Sequence, residues 1–241
     1  MPGDKKSYDL ICSLGGNCAA AHNLRYRNMR AFSLPFDWLF IVDDRPIYYL
    51  SQGFDNSFND FCLKENLVEL SDDEKSSHHN NRVQYKDTLT QYRLSNHFNK
   101  PIAHESEYQR VYQQFQKRFR RLFEQIEKAQ SILFILNTEF EMPLDSIHQL
   151  QKTLRQKYPD KKIDFEVIQF SCKEEKIDAA ANITVRKFRR AQNMYDFSKT
   201  NFEWAFLDEI ELTQKVKKPP HISIRLLKSK FTIFLERKNK E

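Results

Sequence analysis

Glycine is scarce, with four in 241 residues. That excludes a Gly-rich all-β protein built on many tight turns and makes each glycine informative. Two of the four, Gly15 and Gly16, are adjacent and stand just before a cysteine in SLGGNC. No run of about 18 apolar residues occurs, so no membrane-spanning helix is expected. The opening MPGDKKSYDL carries no apolar signal segment, and a cytoplasmic location is the expectation. Cys12, Cys18, Cys62 and Cys172 form no C-x-x-C pair and no zinc spacing. They read as free thiols, and neither a metal nor a cofactor is expected. G-x-G-x-x-G, P-loop and D-x-D motifs are also missing.

What is present is apolar and aromatic. The hydrophobic share is 40%, and 20 residues are phenylalanine. A chain of this length and composition buries a real core, which argues against disorder over most of it. The net charge is +6. The excess lies in KRFRRL, residues 117–122, and in the basic C-terminal segment 215–241. A solvated helix face is the plainer reading of such runs, since no nucleic-acid motif accompanies them. Contact with an anionic glycan, a phosphate or a membrane surface stays open.

Hydrophobic period and punctuation give the elements. Residues 8–14, YDLICSL, read as a buried strand closed by Gly-Gly. A helix follows from about Cys18 to Met29, with Asn17 able to accept an N–H of its first turn. A second helix starts after Asp44 with Pro46 in its first turn. Residues 71–81, SDDEKSSHHNN, read as an exposed loop and the expected mobile part. Residues 83–85 and 91–94 read as a hairpin or as two short strands. Residues 105–129 carry an apolar stripe at three- and four-residue spacing and form the clearest helix. Strand 131–137, helix 144–158 and strands 163–170 and 182–187 follow. A weaker helix is read at 202–212, and the tail from His221 starts a fresh element of either type. Strands alternating with helices predict one α/β domain over 1–241, with a mainly parallel sheet covered by helices. A strand, a Gly-Gly turn and a helix open it.

The chemistry centres on Cys18. Ligands of open parallel sheets bind past the carboxyl ends of the strands. A helix start offers N–H groups and a positive dipole end, which lower a thiol pKa. Gly15 and Gly16 let a substrate approach the backbone, and their N–H groups with the Asn17 amide can hold an oxyanion. A cysteine at the start of a buried helix is also commonly just a small hydrophobe. Cys12, Cys62 and Cys172 have no such setting and read as structural.

A cysteine nucleophile needs a base. His22 lies four residues after Cys18 and shares its helix face, although a helical histidine is more often packed. His97 follows a strand-like segment and can stand at its end. His104 is an alternative base. His78 and His79 read as solvated, and His148 and His221 have no distinctive setting. Asp37, between Phe36 and Trp38, either caps a turn or orients His97. Arg25 and Arg30 can pair with Asp37 or bind a phosphate or carboxylate. Tyr92 and Arg93 are further contact candidates.

A family resemblance joins these residues. Ser13, Leu14, Gly15, Cys18, Ala21, Leu24 and Arg25, followed by Met29, Arg30, Ser33 and PFDWL from Pro35 to Leu39, make a long signature. It resembles the bacterial family described as putative papain-like cysteine peptidases, domain of unknown function 1796. SNHF, residues 95–98, is similar to that family's histidine motif, and a basic helix and an apolar strand follow it in both. No aspartate stands between His97 and Phe98 as it often does in the family, and His104-Glu105 is a competing alignment. The resemblance implies a Cys/His hydrolase, with Cys18 as nucleophile and His97 as base. The reading of the residues themselves adds Asp37 beside them and Gly15, Gly16, Asn17, Arg25, Arg30 and Ser33 as candidate binding residues.

Three functions are carried forward. The first is a thiol-dependent hydrolase or acyl transferase acting on a small molecule, peptide or glycan. The second is a sugar- or nucleotide-sugar-handling protein of surface-polysaccharide metabolism, with a phosphate at the Gly-Gly turn. The third is a non-catalytic interaction module in which Phe36, Trp38 and Phe40 anchor a packing loop.

Overall fold

The structure is a computed structural model that describes residues 5–171, 175–189 and 204–213. In chain order the strands and helices are β1 (Lys6–Tyr8), β2 (Leu10–Ser13), α1 (Ala19–Tyr26), α2 (Arg45–Asp55), β3 (Leu67–Glu69), β4 (Val83–Asp87) and β5 (Arg93–Phe98). They continue with α3 (Glu105–Lys128), β6 (Ser131–Thr138), α4 (Leu144–Lys157), β7 (Lys162–Ser171), β8 (Glu175–Ala180), β9 (Ile183–Arg189) and β10 (Ile210–Leu212).

The central sheet has the order β2-β6-β7-β9-β8. Its first four strands are parallel, and β8 closes one edge antiparallel to β9. Such a sheet must be covered on both faces, and the alternation along each strand shows how. Leu10 and Cys12 of β2, and Ile132, Phe134 and Leu136 of β6, enter one cluster with residues of α2, α3 and α4. Ile11, Leu133 and Ile135 point the other way, onto Ala20 and Leu24 of α1 and onto Trp204, Phe206 and Ile210.

The phenylalanines concentrate on the first face. Phe58 stacks on Phe119 at 4.5 Å, and Phe36, Phe54 and Phe61 meet the same pair edge-on or nearly so. This cluster lets α3 hold both the sheet and the loop around Phe36. Arg121 of α3 also donates to the Ser33 carbonyl at 3.2 Å and covers the Phe32 ring. The basic run KRFRRL therefore works partly as a clamp. Lys117 and Arg120 face solvent, while Arg118 and Arg121 turn inward.

A smaller antiparallel sheet, β3-β4-β5, meets the segment that follows β2 at Phe40. Phe40 bridges Gly16 on one side and Arg93 on the other. Residues 71–81 are tied to this sheet: Arg93 pairs with Glu74 at 2.8 Å, and the Gln84 amide bonds the Ser76 backbone in both directions.

Several elements differ from the sequence reading. The strand read at 8–14 is two, β1 and β2, which pair in different sheets, and β3 was not read. Helix α1 stops at Tyr26 rather than near Met29, because Asn28 turns left-handed (φ 63°) and the Met29 N–H reaches back to the Leu24 carbonyl. The helix read at 202–212 is a 3₁₀ turn, Ala205–Glu209, followed by β10, which pairs in parallel with β1. Tertiary pairing with β1 overrides the weak helical pattern there. Strand β8 falls in a charged segment that carries no apolar run. Cys172, His221 and the 215–241 segment lie outside the described residues.

Candidate functional site

The site begins where β2 ends. After Ser13 the chain passes between two neighbouring backbones. The Asn137 N–H at the end of β6 donates to the Gly15 carbonyl (3.3 Å), and the Ile41 N–H donates to the Gly16 carbonyl (3.1 Å). Gly15 (φ 94°) and Gly16 (φ 110°) both have backbones that L side chains rarely adopt. A Cβ on Gly16 would stand 1.4 Å from the Asn137 carbonyl oxygen, so no side chain fits there.

Asn17 follows and is buried. Its Oδ1 accepts the Ala19 N–H at 2.8 Å and the Asn137 Nδ2 at 2.7 Å. One amide oxygen thus holds the first turn of α1 against the end of β6. Asn137 Oδ1 is buried and has no hydrogen-bond partner.

Cys18 occupies the N-cap position of α1 and is half-buried, whereas Cys12 and Cys62 are sealed. Burial pushes its thiol up to about 11, the Glu139 carboxylate pushes the same way, and a backbone hydrogen bond opposes them. The resting group is a thiol rather than a thiolate. Here the desolvation outweighs the helix start.

His22 stands one helical turn on, and its N–H donates to the Cys18 carbonyl. Its ring meets Trp38 edge-on at 5.2 Å. Burial, then Arg25 and Arg30, hold its pKa below the usual histidine range, so the imidazole is neutral at neutral pH.

Asp37 is engaged elsewhere. Its Oδ2 accepts Arg30 Nε (2.9 Å), Arg30 Nη2 (2.6 Å) and the Leu34 N–H (2.8 Å). Arg30 Nη2 also donates to Ser33 Oγ at 2.8 Å, and its guanidinium covers Trp38. Arg30, Ser33 and Asp37 therefore form one closed knot that fixes the loop carrying Trp38. Burial raises the Asp37 carboxyl above its usual range, and Arg30 offsets part of that.

His97 lies on β5 with its ring against Phe115 at 4.9 Å. Neither ring nitrogen has a hydrogen-bond partner. Burial, then the Arg118 and Arg110 cations, push its pKa down to about 3. Cys18, His97 and Asp37 are therefore not joined by hydrogen bonds. His104 caps α3 through its backbone carbonyl, and its residue is exposed. Arg25 is half-buried on α1 and acts on His22 through its charge. Tyr92 donates to the Leu14 carbonyl, which ties it to the segment that follows β2.

Asn137 and Glu139 were missed in the sequence. The signal for them is positional: they are the polar residues that end a buried apolar strand, where a parallel sheet opens its crevice. Among the described residues, no group of three or more His, Cys, Asp or Glu is arranged to hold a metal ion, and no helix is long and apolar enough to cross a membrane.

No curated protein and no solved structure matches the chain. The sequence profile of one family matches residues 9–175, which span β2, the Gly-Gly segment, all four helices and the strands through β7. The chain belongs to that family, described as putative papain-like cysteine peptidase (DUF1796).

Proposed function

We propose that the chain is a thiol-dependent hydrolase or acyl transferase with Cys18 as its nucleophile. The observation that carries this reading is the setting of Cys18. It is half-buried at the first turn of α1, past the carboxyl end of a parallel strand, and is the more exposed thiol beside the sealed Cys12 and Cys62. The family's description supports the same chemistry.

The reaction starts from a neutral pair. A thiol near 11 and an imidazole held neutral do not exchange a proton at rest. Sγ attacks the substrate carbonyl carbon as its proton passes to a general base. His22 suits that role better than His97, because it stands one helical turn from Cys18 on the same helix face. The Asn17 amide oxygen is occupied by Ala19 and Asn137, which leaves its amide nitrogen as a donor to the tetrahedral oxyanion. Collapse of the intermediate expels the leaving group, which takes the proton from the imidazolium. Water or an acceptor then attacks the thioester by the same route in reverse.

The test is turnover of an activated ester, p-nitrophenyl acetate. Cys18→Ala reduces the rate to that of buffer, and His22→Gln lowers kcat by about 10²–10⁴-fold. A Cys18→Ala protein as active as wild type contradicts the reading. The high thiol pKa favours a second one, in which the Gly-Gly segment is a packing device and Cys18 a small apolar residue. That reading predicts no ester turnover above buffer in either protein.

A further inference from the structure

A cavity of about 440 Å³ opens between α3 and the β4–β5 hairpin, separate from the residues around Cys18. Residues 110, 114 and 118 of α3, spaced by four, line one wall as Arg110, Gln114 and Arg118. Arg82, Asn96 and His97 line the other, and Trp38 stands at one end.

No residue of the lining is acidic. Arg110 is engaged, bonding Glu107 through Nε and Nη2 and donating to the His97 carbonyl. Arg82 and Arg118 form no ion pair among the described residues. Arg118 Nη1 is buried without a hydrogen-bond partner, and its guanidinium is placed over the Phe115 ring. His97 is 7% exposed, and both its ring nitrogens lack partners. Buried donors are almost always satisfied, and a donor that borders a cavity is placed to be met by a group entering that cavity. Two unpaired guanidiniums, a polar amide wall and a buried imidazole form a set of donors for an oxyanion. The volume falls in the range of small-molecule sites, roughly 300–1,000 Å³.

We propose that this cavity binds the phosphate of a phosphorylated small molecule, held by Arg82 and Arg118, with Gln114, Asn96 and His97 completing the donors and Trp38 as a flat wall for the organic part. Phosphate suits the site better than carboxylate because guanidiniums from two separate parts of the chain, residue 82 and α3, line it, and a tetrahedral anion has more oxygens to share between them. The proposal is independent of Cys18 chemistry. Trp38 is nevertheless common to both regions, contacting His22 on one side and lining the cavity on the other.

Calorimetric titration with inorganic pyrophosphate at physiological ionic strength tests it. Wild type is expected to bind, and Arg82→Gln and Gln114→Glu each weaken binding about tenfold or more, a change of about 1.4 kcal/mol. Gln114 is exposed, so its substitution leaves the fold intact and only places a carboxylate where the anion would lie. Cys18→Ala is expected to bind as wild type does, which separates this outcome from that of the ester assay. Absence of pyrophosphate binding by wild type, or unchanged affinity in both cavity variants, overturns the proposal.

Discussion

Four residues carry most of the local argument. Gly16 has no room for a side chain, since the obstacle is the Asn137 backbone and not a movable side chain. Gly16→Ala is expected to destabilise the protein by about 3–5 kcal/mol, measured as a lower urea midpoint, because both backbone strain and a backbone clash oppose it. Cys18 is protonated at rest. Its labelling by iodoacetamide should rise with pH toward an inflection near 11, ahead of the sealed Cys12 and Cys62. An inflection well below 8.5 in mass-spectrometric labelling contradicts the burial argument. His97 makes a pH prediction of definite sign. Its folded pKa of about 3 lies below the unfolded value of 6.5. The stability it contributes is complete above about pH 6.5 and is lost as pH falls toward 3. Asp37 runs the other way, because its carboxyl is raised. Its contribution is present at low pH and is lost as pH rises through its folded value. The comparison that isolates His97 is wild type against His97→Leu, which should lose less stability between pH 6.5 and 4.5 in urea titrations. Equal pH slopes for the two proteins would rule this out.

At the scale of elements, α3 organises the region around the site. One stripe packs Phe115, Phe119 and Leu122 into the aromatic cluster. A second presents Arg110, Gln114 and Arg118 to the cavity, and Arg121 reaches back to the loop of residues 30–38 through the Ser33 carbonyl. Phe119 touches Phe36, Phe58 and Phe61, so Phe119→Ala should cost about 3–5 kcal/mol, read by chemical denaturation. A loss below about 1 kcal/mol would mean that the cluster relaxes into the space. The Arg30–Asp37 pair deserves a separate expectation, since Asp37 is 1% exposed. Removing one partner leaves the other charge buried, and Asp37→Ala should destabilise by about 3–5 kcal/mol.

Across the whole molecule, the parallel α/β architecture was legible because its signals are periodic. The α3 stripe, the apolar runs of β6 and β7 and the Pro46 helix start each follow from a local rule. β8 and β10 were not legible: one is a charged edge strand, and the other exists only through pairing with β1. The site was legible in part. The Gly-Gly-Asn-Cys segment stands out in a glycine-poor chain, but whether a histidine reaches the thiol depends on packing that no spacing encodes. His97 sits at the end of a strand as read, with its ring against Phe115 and the arginine-lined cavity. Asp37 was read both as a turn cap and as an orienting acid, and its bonds to Leu34 and Arg30 are those of a cap. Membership of the family fixes kinship and leaves the chemistry to the site itself. The most direct measurement is therefore mass spectrometry of the protein quenched during p-nitrophenyl acetate turnover. The account predicts an acetyl thioester on the Cys18 peptide, with Cys12 and Cys62 unmodified. Turnover with the acetyl group on any other residue, or with none on Cys18, would contradict it.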